Sequence, residues 1–294
     1  MHDEQIPSDV DVLRALLREQ LPEWADLPVG PVTSTGTDNA LFRIGSDKVA
    51  RLPLRLAAAL PIATEHRWLP VLGPLLPVLI PTPLAIGQPA PEFRCQWSVH
   101  SWIDGEDAIS APVDLPSLAD DLALFLRTLQ AIDTTGGPPS HEAYCWRGVP
   151  LLDRDQWTRD SIAACRDHLD DVDELTACWN DALAAPVLDR PPTWVHGDIA
   201  AGNLLVRDTR LHAVIDWGVM AVGDPACDLI VAWELLDGPS RQRLRERLDV
   251  DDATWERGRG WALSTGAMAL PYYATTNPFM ADQARRKIEA VLIG

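Results

Sequence analysis

Positive charge is scarce in this sequence, and lysine contributes least to it. The 294 residues include 25 lysine and arginine residues against 43 aspartate and glutamate residues, for a formal net charge of −18. The only lysines are Lys48 and Lys287. An acidic surface repels phosphate backbones, which argues against nucleic-acid binding, whereas it attracts cationic small molecules. On composition alone, general solubility is the simpler explanation of the acidity.

The sequence also lacks paired cysteines, a secretory signal and an uninterrupted apolar run. It has five cysteines and no C-x-x-C motif, which indicates reduced thiols in a cytoplasm. The N-terminus, MHDEQIPSDV, has acidic residues and no apolar segment. Residues 68–90 are uncharged, but the six prolines in this stretch argue against a membrane-spanning helix. We therefore expect a cytoplasmic protein without a membrane segment.

Local patterns divide the chain into a β-rich first part and a helical second part. A capping box of Ser8 and Asp11 predicts a first helix that ends at about Gln20. Strands are predicted in ALFRIG, KVARLP, LIPTPLAIG and FRCQWSVHSWI, with a short helix over 65–72. Three helices follow, from Asp114 and over 157–169 and 173–185, and then a hairpin formed by NLLV and LHAVIDW. We expect an α+β fold with a β-rich lobe over 1–103 and a helical lobe over 104–294.

Three oxygen-bearing side chains lie around the predicted hairpin. Asp198 and Asn203 occur in VHGDIAAGN, and Asp216 ends the second strand in VIDWG. Two carboxylates and an amide suit Mg²⁺ better than zinc, and phosphate and water would complete the coordination. Phosphoryl transfer uses such a set, because one carboxylate receives the hydroxyl proton while the metal ion bridges the phosphates. Taken singly, Asp198 and Asn203 are better explained by structural roles in a turn than by catalysis.

VHGDIAAGN followed by VIDWG resembles the aminoglycoside phosphotransferases and related small-molecule kinases of the protein-kinase-like superfamily. The resemblance implies a bilobal protein-kinase-like fold. It implies that Asp198 is the catalytic base, that Asn203 and Asp216 bind Mg²⁺, and that His196 supports the loop. It also places Asp228, in GDPACDLIVAW, behind the catalytic loop, although an exposed carboxylate in a first helical turn is an equal alternative.

The resemblance assigns the nucleotide to the β-rich lobe. TSTGTDNALFRI resembles the phosphate-covering loop of the family, with Ser34, Thr35 and Gly36 as nucleotide contacts, although a hairpin turn fits equally well. Arg51 occupies the basic position of the family, and Glu65 is its matching acid. We prefer Arg51 to Lys48 for phosphate binding, because a guanidinium binds phosphates as a fork.

VHSWIDGE resembles the hinge of the family. The backbone around His100, Ser101 and Ile103 is therefore expected to hydrogen-bond the purine. Backbone contacts leave little trace in a sequence, so ATP and GTP both remain possible donors.

The acceptor is expected to be a small molecule. Between Asp216 and Asp224 there is no room for the long activation segment with which protein kinases dock peptides. Residues 153–174 contain eight acidic residues and three arginines. In the resembled family the helical lobe binds polycationic antibiotics with carboxylates and rings, although an acidic helix is usually only a solvated face. Candidate acceptor contacts after the hairpin are Trp233, Glu234 and Asp237.

These observations predict a kinase that transfers the γ-phosphoryl group of ATP or GTP to a small-molecule hydroxyl group. The expected acceptor is an antibiotic, with aminoglycosides first and basic peptides, macrolides and nucleosides after them, so that transfer gives resistance. The first alternative is a metabolic kinase of an amino alcohol or sugar. The second is a catalytically inactive nucleotide-binding module, against which the complete set of Asp198, Asn203 and Asp216 argues. The sequence does not indicate the oligomeric state.

Overall fold

The structure is a computed structural model that describes residues 6–33, 38–169 and 172–294. The chain forms two compact units. Unit 1 comprises Met1–Gly105 and Ala213–Gly218, and unit 2 comprises Glu106–His212 and Val219–Gly294. The sequence-based division assigned residues 213–218 to the helical lobe, whereas in the structure this segment belongs to unit 1. The predicted α+β class is confirmed.

Unit 1 contains an antiparallel sheet of five strands in the order β1-β2-β3-β5-β4. Its elements are α1 (Val10–Gln20), β1 (Val29–Pro31), β2 (Asn39–Ile44), β3 (Lys48–Pro53), α2 (Ile62–Leu72), β4 (Pro83–Gly87) and β5 (Trp97–Ser101). Ala50 and Leu52 of β3 are fully buried in the core of this unit. Because side chains alternate along a strand, Arg51 projects from the opposite face of the sheet.

Helix α1 is capped by a different residue from the one predicted. The carboxylate of Asp9 accepts hydrogen bonds from the backbone N–H groups of Asp11 and Val12, each at 2.9 Å. The predicted capping box of Ser8 and Asp11 is therefore wrong, and the Ser8 hydroxyl donates to the carbonyl oxygen of Ile6. Asp9 has the extended backbone that an N-cap requires. The helix ends at Gln20, as predicted.

Unit 2 is mainly helical and carries the segment HGDIAAGN between two short strands. Its helices are α3 (Leu115–Ala131), α4 (Asp155–Ala164), α5 (Asp173–Ala184), α6 (Val231–Glu234), α7 (Gly238–Leu248), α8 (Asp252–Tyr273) and α9 (Pro278–Ile293). Its strands are β6 (Glu106–Asp107), β7 (Thr193–Val195), β8 (Leu204–Arg207), β9 (Arg210–Val214) and β10 (Ala221–Gly223), where the last two residues of β9 lie in unit 1. Strands β6, β8 and β9 form one sheet, and β10 pairs with β7.

Helix α8 lies at the centre of unit 2 and packs against α4, α5 and α9. Its residue Trp261 is fully buried. Gly260 allows a close approach, because a Cβ atom at this position would lie 2.6 Å from the Cβ atom of Ala182 in α5. Among the described residues, no helix is both long and apolar enough to cross a membrane. All five cysteines are free thiols.

Candidate functional site

The catalytic loop, which we define as residues 196–203, connects β7 to β8 and is held from behind by Asp228. Asp228 is fully buried. Its carboxylate accepts hydrogen bonds from the backbone N–H groups of His196, at 2.9 Å, and Gly197, at 2.6 Å. Burial raises the pKa of Asp228 to about 7, although the two hydrogen bonds oppose the shift. The alternative of an exposed carboxylate is therefore wrong.

Asp198 is oriented by the amide of Asn203. The Asn203 Nδ2 donates to the backbone carbonyl oxygen of Asp198, at 3.0 Å, and to its Oδ2, at 3.2 Å. The ring of His196 is buried, and its Nδ1 accepts a hydrogen bond from the backbone N–H of Asp198. These contacts bring three of the predicted site residues together in one loop.

Glu234 fixes the far end of the catalytic loop. Its carboxylate accepts a hydrogen bond from the backbone N–H of Ala201 at 2.8 Å and forms an ion pair with Lys287 at 2.5 Å. The sequence suggested Glu234 as an acceptor contact, whereas the structure engages both of its oxygens within unit 2.

Trp233, another candidate acceptor contact, is buried, and its ring packs 4.8 Å from that of Trp255. The carboxylate of Asp237 caps α7 by accepting from the backbone N–H of Ser240. All three candidate residues thus have structural contacts within unit 2, and their role as acceptor contacts stays a prediction.

Arg147 is a residue of the site that sequence reasoning missed. Its Nη2 lies 3.4 Å from Oδ1 of Asp198, although 51 residues separate the two in the sequence. The surrounding text, CWRGVP, contains no catalytic motif. The only available signal was the scarcity of cations in the chain, which does not point to one position.

Unit 1 brings Arg51, Glu65 and Asp216 together. Arg51 Nη1 donates to Glu65 Oε1 at 2.6 Å, and its Nη2 donates to Asp216 Oδ1 at 3.2 Å. Burial by itself would lower the pKa of Arg51, but the two carboxylates outweigh it and raise the pKa. The guanidinium is therefore a fixed positive charge. Lys48, the rejected alternative, pairs with Asp47 instead.

Asp216 follows β9 in a strained conformation. Its φ of 65° lies in the left-handed region, which residues other than glycine rarely adopt. Its side chain is about half exposed, at 53%. Asp216 keeps one oxygen beyond its contact with Arg51. In unit 2 the amide nitrogen of Asn203 contacts Asp198, which leaves its carbonyl oxygen for another partner. Carboxylate and amide oxygens are the kind of ligand that suits Mg²⁺. The described residues contain no cluster of three or more His, Cys, Asp or Glu residues that could hold a metal ion by itself.

The predicted hinge uses most of its backbone donors within unit 1. Ser101 N–H donates to the carbonyl oxygen of Thr82, and Trp102 N–H donates to that of Asp47. The backbone N–H of Ile103 has no hydrogen bond to another described residue. This N–H group is therefore available for a further hydrogen bond.

His100, also predicted in the hinge, is only 1% exposed. Burial, with a contribution from nearby Arg51, lowers the pKa of this imidazole to about 2. Its ring contacts that of His66 edge-on, with centroids 5.8 Å apart. The remaining candidate nucleotide contacts, Ser34, Thr35 and Gly36, lie outside the described residues.

Comparisons with known proteins identify relatives of this fold. Residues 31–261 match the model of the phosphotransferase enzyme family. A comparison with curated proteins gives no match. Aminoglycoside 2'-phosphotransferase-IIIa in its GDP complex superposes with a TM-score of 0.75 at 20% identity, covering 97% of this chain and 99% of that chain.

Two further solved structures share the fold. The gentamicin complex of APH(2")-IIa gives a TM-score of 0.64 at 19% identity, covering 98% of this chain and 99% of that chain. Macrolide 2'-phosphotransferase MphH from Brachybacterium faecium gives 0.62 at 23% identity, covering 96% of this chain and 98% of that chain. These similarities confirm the kinase-like fold that the two motifs predicted.

Proposed function

This chain belongs to the phosphotransferase enzyme family, and we propose that it transfers the γ-phosphoryl group of ATP or GTP to a hydroxyl group of a small-molecule antibiotic in the cytoplasm. Such a transfer would give resistance. Aminoglycosides come first among the acceptors, because gentamicin is bound in one structure of the same fold and the net charge of −18 attracts cations. Macrolides come next, because another similar structure is a macrolide phosphotransferase.

The orientation of Asp198 is the observation that carries this proposal. Asn203 contacts one carboxylate oxygen and Arg147 contacts the other. Asp228 and Glu234 fix the backbone on either side. A carboxylate held in this way is prepared to accept the proton of the acceptor hydroxyl group as that oxygen attacks phosphorus.

The nucleotide contacts follow from the remaining site residues. Arg51, fixed by Glu65, would bind phosphate oxygens with its guanidinium fork. Asn203 and Asp216 would hold Mg²⁺, which neutralises charge on the phosphates when it is bound. The free backbone N–H of Ile103 would donate to the purine, which either ATP or GTP could satisfy.

Two variants test this division of roles. Asp198→Ala should lower phosphate transfer by roughly 10²–10⁴-fold, the usual contribution of a positioned base, and should leave nucleotide binding intact. Asp216→Asn should weaken binding of the Mg²⁺-nucleotide, because it removes the negative charge of a metal ligand. Calorimetric titration with the Mg²⁺-nucleotide compares the two. Equal affinities would show that the roles are wrongly divided, and near-wild-type turnover of Asp198→Ala would exclude it as the base.

The acceptor class is tested with a panel of hydroxyl-bearing compounds. Wild-type protein is incubated with γ-labelled ATP or GTP and with aminoglycosides, macrolides, basic peptide antibiotics, nucleosides, amino alcohols and sugars. Asp198→Ala serves as the negative control. Transfer to an amino alcohol or sugar in preference to every antibiotic would replace the antibiotic assignment with a metabolic one.

A further inference from the structure

Two buried arginines lie beside the catalytic loop. Arg147 contacts Asp198, and its side chain is 12% exposed. Arg154 is 3% exposed. Both guanidinium groups face the ring of Trp261, with Arg147 6.0 Å and Arg154 4.8 Å from its centroid. In a chain with a net charge of −18, solubility does not account for two buried cations at this place.

This arginine pair has more hydrogen-bond donors than acceptors around it. Among the described residues, no protein group accepts from Nε or Nη1 of Arg147 or from Nε of Arg154, although all three atoms are buried. The nearby carboxylate of Asp228 accepts from the backbone N–H groups of His196 and Gly197. A buried donor without an acceptor destabilises the folded protein, because it has lost its hydrogen bond to water. Burial, together with the charge of Arg147, lowers the pKa of Arg154 to about 10. The pair would therefore be stabilised by an anionic group.

The backbone around Arg147 is strained to hold it in place. Cys145 and Trp146 adopt left-handed conformations, with φ of 62° and 51°. Such conformations are energetically unfavourable in residues other than glycine and cluster at functional sites. On the other side, Gly197 has a φ of 85°, and a Cβ atom there would lie 2.7 Å from the Cβ atom of Arg147. The catalytic loop thus has a glycine where the arginine packs against it.

The catalytic loop has no cation of its own between Asp198 and Asn203, where it reads Ile-Ala-Ala-Gly. A phosphoryl group in transfer carries negative charge on its three equatorial oxygens, and catalysis depends on donors placed at those oxygens. We propose that Arg147 binds the oxygens of the phosphoryl group during transfer and that Arg154, behind it, adds positive charge that attracts the same anionic group. This inference rests on the proposed function.

Transfer forms one bond to phosphorus and breaks another. The acceptor oxygen forms the new bond to phosphorus, and its proton passes to the carboxylate of Asp198. The bond between phosphorus and the β–γ bridging oxygen breaks, and the nucleoside diphosphate leaves with the bonding electrons. Arg147 changes no covalent bond and donates hydrogen bonds to oxygens that already carry charge.

Two other roles for Arg147 lead to different results. It could bind an anionic group on the acceptor, in which case variants would affect only reactions that contain the acceptor. It could also serve only to orient Asp198, in which case its effect would disappear once Asp198 is replaced. A test without acceptor, performed in two backgrounds, separates these roles.

The test uses Mg²⁺ and a nucleoside diphosphate, with and without aluminium fluoride, which mimics the phosphoryl group in transfer. Wild type, R147Q and R147K are titrated, and R159Q serves as control because Arg159 is a partly exposed arginine on α4 of the same unit. R147Q should bind the diphosphate alone within about twofold of wild type. In the presence of aluminium fluoride, it should bind roughly 10²–10³-fold more weakly than wild type. R147K should lose less, because it keeps the charge but not the fork. R159Q should match wild type.

The same titration in a D198N background completes the test. If R147Q still removes the gain from fluoride in D198N, Arg147 acts on the phosphoryl group directly. No added effect in D198N, or an equal gain in wild type and R147Q, overturns the inference. So does a wild type that binds the diphosphate but gains nothing from fluoride. A wild type that binds no nucleotide overturns the proposed function itself. Thermal unfolding monitors folding, and if R147Q does not fold, a loss below about tenfold in R147K counts against the inference.

Discussion

The surroundings of single residues in this protein shift their pKa values away from the ordinary range. Asp228 has a pKa raised to about 7 by burial, and its two backbone hydrogen bonds keep it where the catalytic loop needs an anchor. His100 shows the opposite effect for a base, because burial lowers its pKa to about 2 and keeps the imidazole neutral. Neither pKa shift follows from the residue type, because each shift depends on the atoms that surround the group after folding.

His100 should make the protein sensitive to acid. Its pKa is lowered in the folded state, so the unfolded chain binds a proton more readily below the ordinary histidine pKa of about 6.5. The stability is present above that pH and is lost as the pH falls towards the folded pKa. Between pH 7 and pH 5 this one group should cost about 2 kcal/mol of unfolding free energy.

His100→Leu should remove this contribution. Urea unfolding at pH 7 and pH 5 measures it, and the variant should lose less stability on acidification than wild type. His141→Asn is the control, because the His141 side chain is 67% exposed. The variant should keep part of the acid sensitivity, because burial also lowers the pKa of His66. The same pH dependence in His100→Leu and wild type would contradict the prediction.

At the scale of elements, a buried ion pair joins α8 to the segment that carries Asp228. Asp224 caps the short 3-10 helix Pro225–Ile230 by accepting from the backbone N–H of Ala226. Arg257 of α8 donates to the same carboxylate, with Nε 2.6 Å from Oδ2. Asp224 and Arg257 are 6% and 4% exposed. We expect this connection to help fix the position of Asp228, which lies in the same short helix.

Arg257→Met should destabilise the protein by about 3–5 kcal/mol, because it leaves the charge of Asp224 buried without its partner. The double variant Arg257→Met with Asp224→Asn should recover part of the loss. Urea unfolding at pH 7 provides the measurement. Arg286→Met is the matched control, because Arg286 pairs with Asp282 on the surface of α9, where such pairs contribute about 0–1 kcal/mol. A loss no larger than that of the control would show that the ion pair does not anchor α8.

At the scale of the whole molecule, the acidic surface and the buried arginine pair serve different steps of the proposed reaction. The net charge of −18 acts over distance on a cation that approaches, whereas Arg147 acts at contact on the group in transfer. Salt weakens the long-range attraction of a cation and leaves the contact of Arg147 largely unchanged, because screening acts mainly on exposed, separated charges.

The KM of a cationic acceptor should therefore rise with ionic strength. Exposed charges are screened beyond about 8 Å at physiological salt. The KM of the acceptor is measured from low to high KCl at saturating nucleotide, and a neutral acceptor from the panel provides the comparison. If the response is flat, electrostatic capture is excluded and aminoglycosides lose their first rank. The kinase assignment would survive this result, because it depends on Asp198, Asn203 and Asp216.

The sequence by itself determined the six longest strands and the family. The strands β2, β3, β4, β5, β8 and β9 lie where alternation and turn residues placed them, because these signals are local. VHGDIAAGN and VIDWG were informative for the same reason, since Asp198 and Asn203 lie five residues apart in one loop. The roles of these residues stay predictions, but their grouping did not require a structure.

Only the tertiary structure decided which distant groups support the catalytic loop. Asp228 and Glu234 reach its backbone from 31 and 33 residues away, and Arg147 reaches Asp198 from 51 residues away. Spacing predicts a contact only within one helix, strand or turn, where the local backbone fixes the distance. Beyond that range the contact depends on how α8, the strained segment at Cys145 and the buried ion pair of Asp224 pack. The positive charge of Arg147 beside Asp198 is therefore a property of the fold. The net charge of −18 gave no indication of a cation at this place.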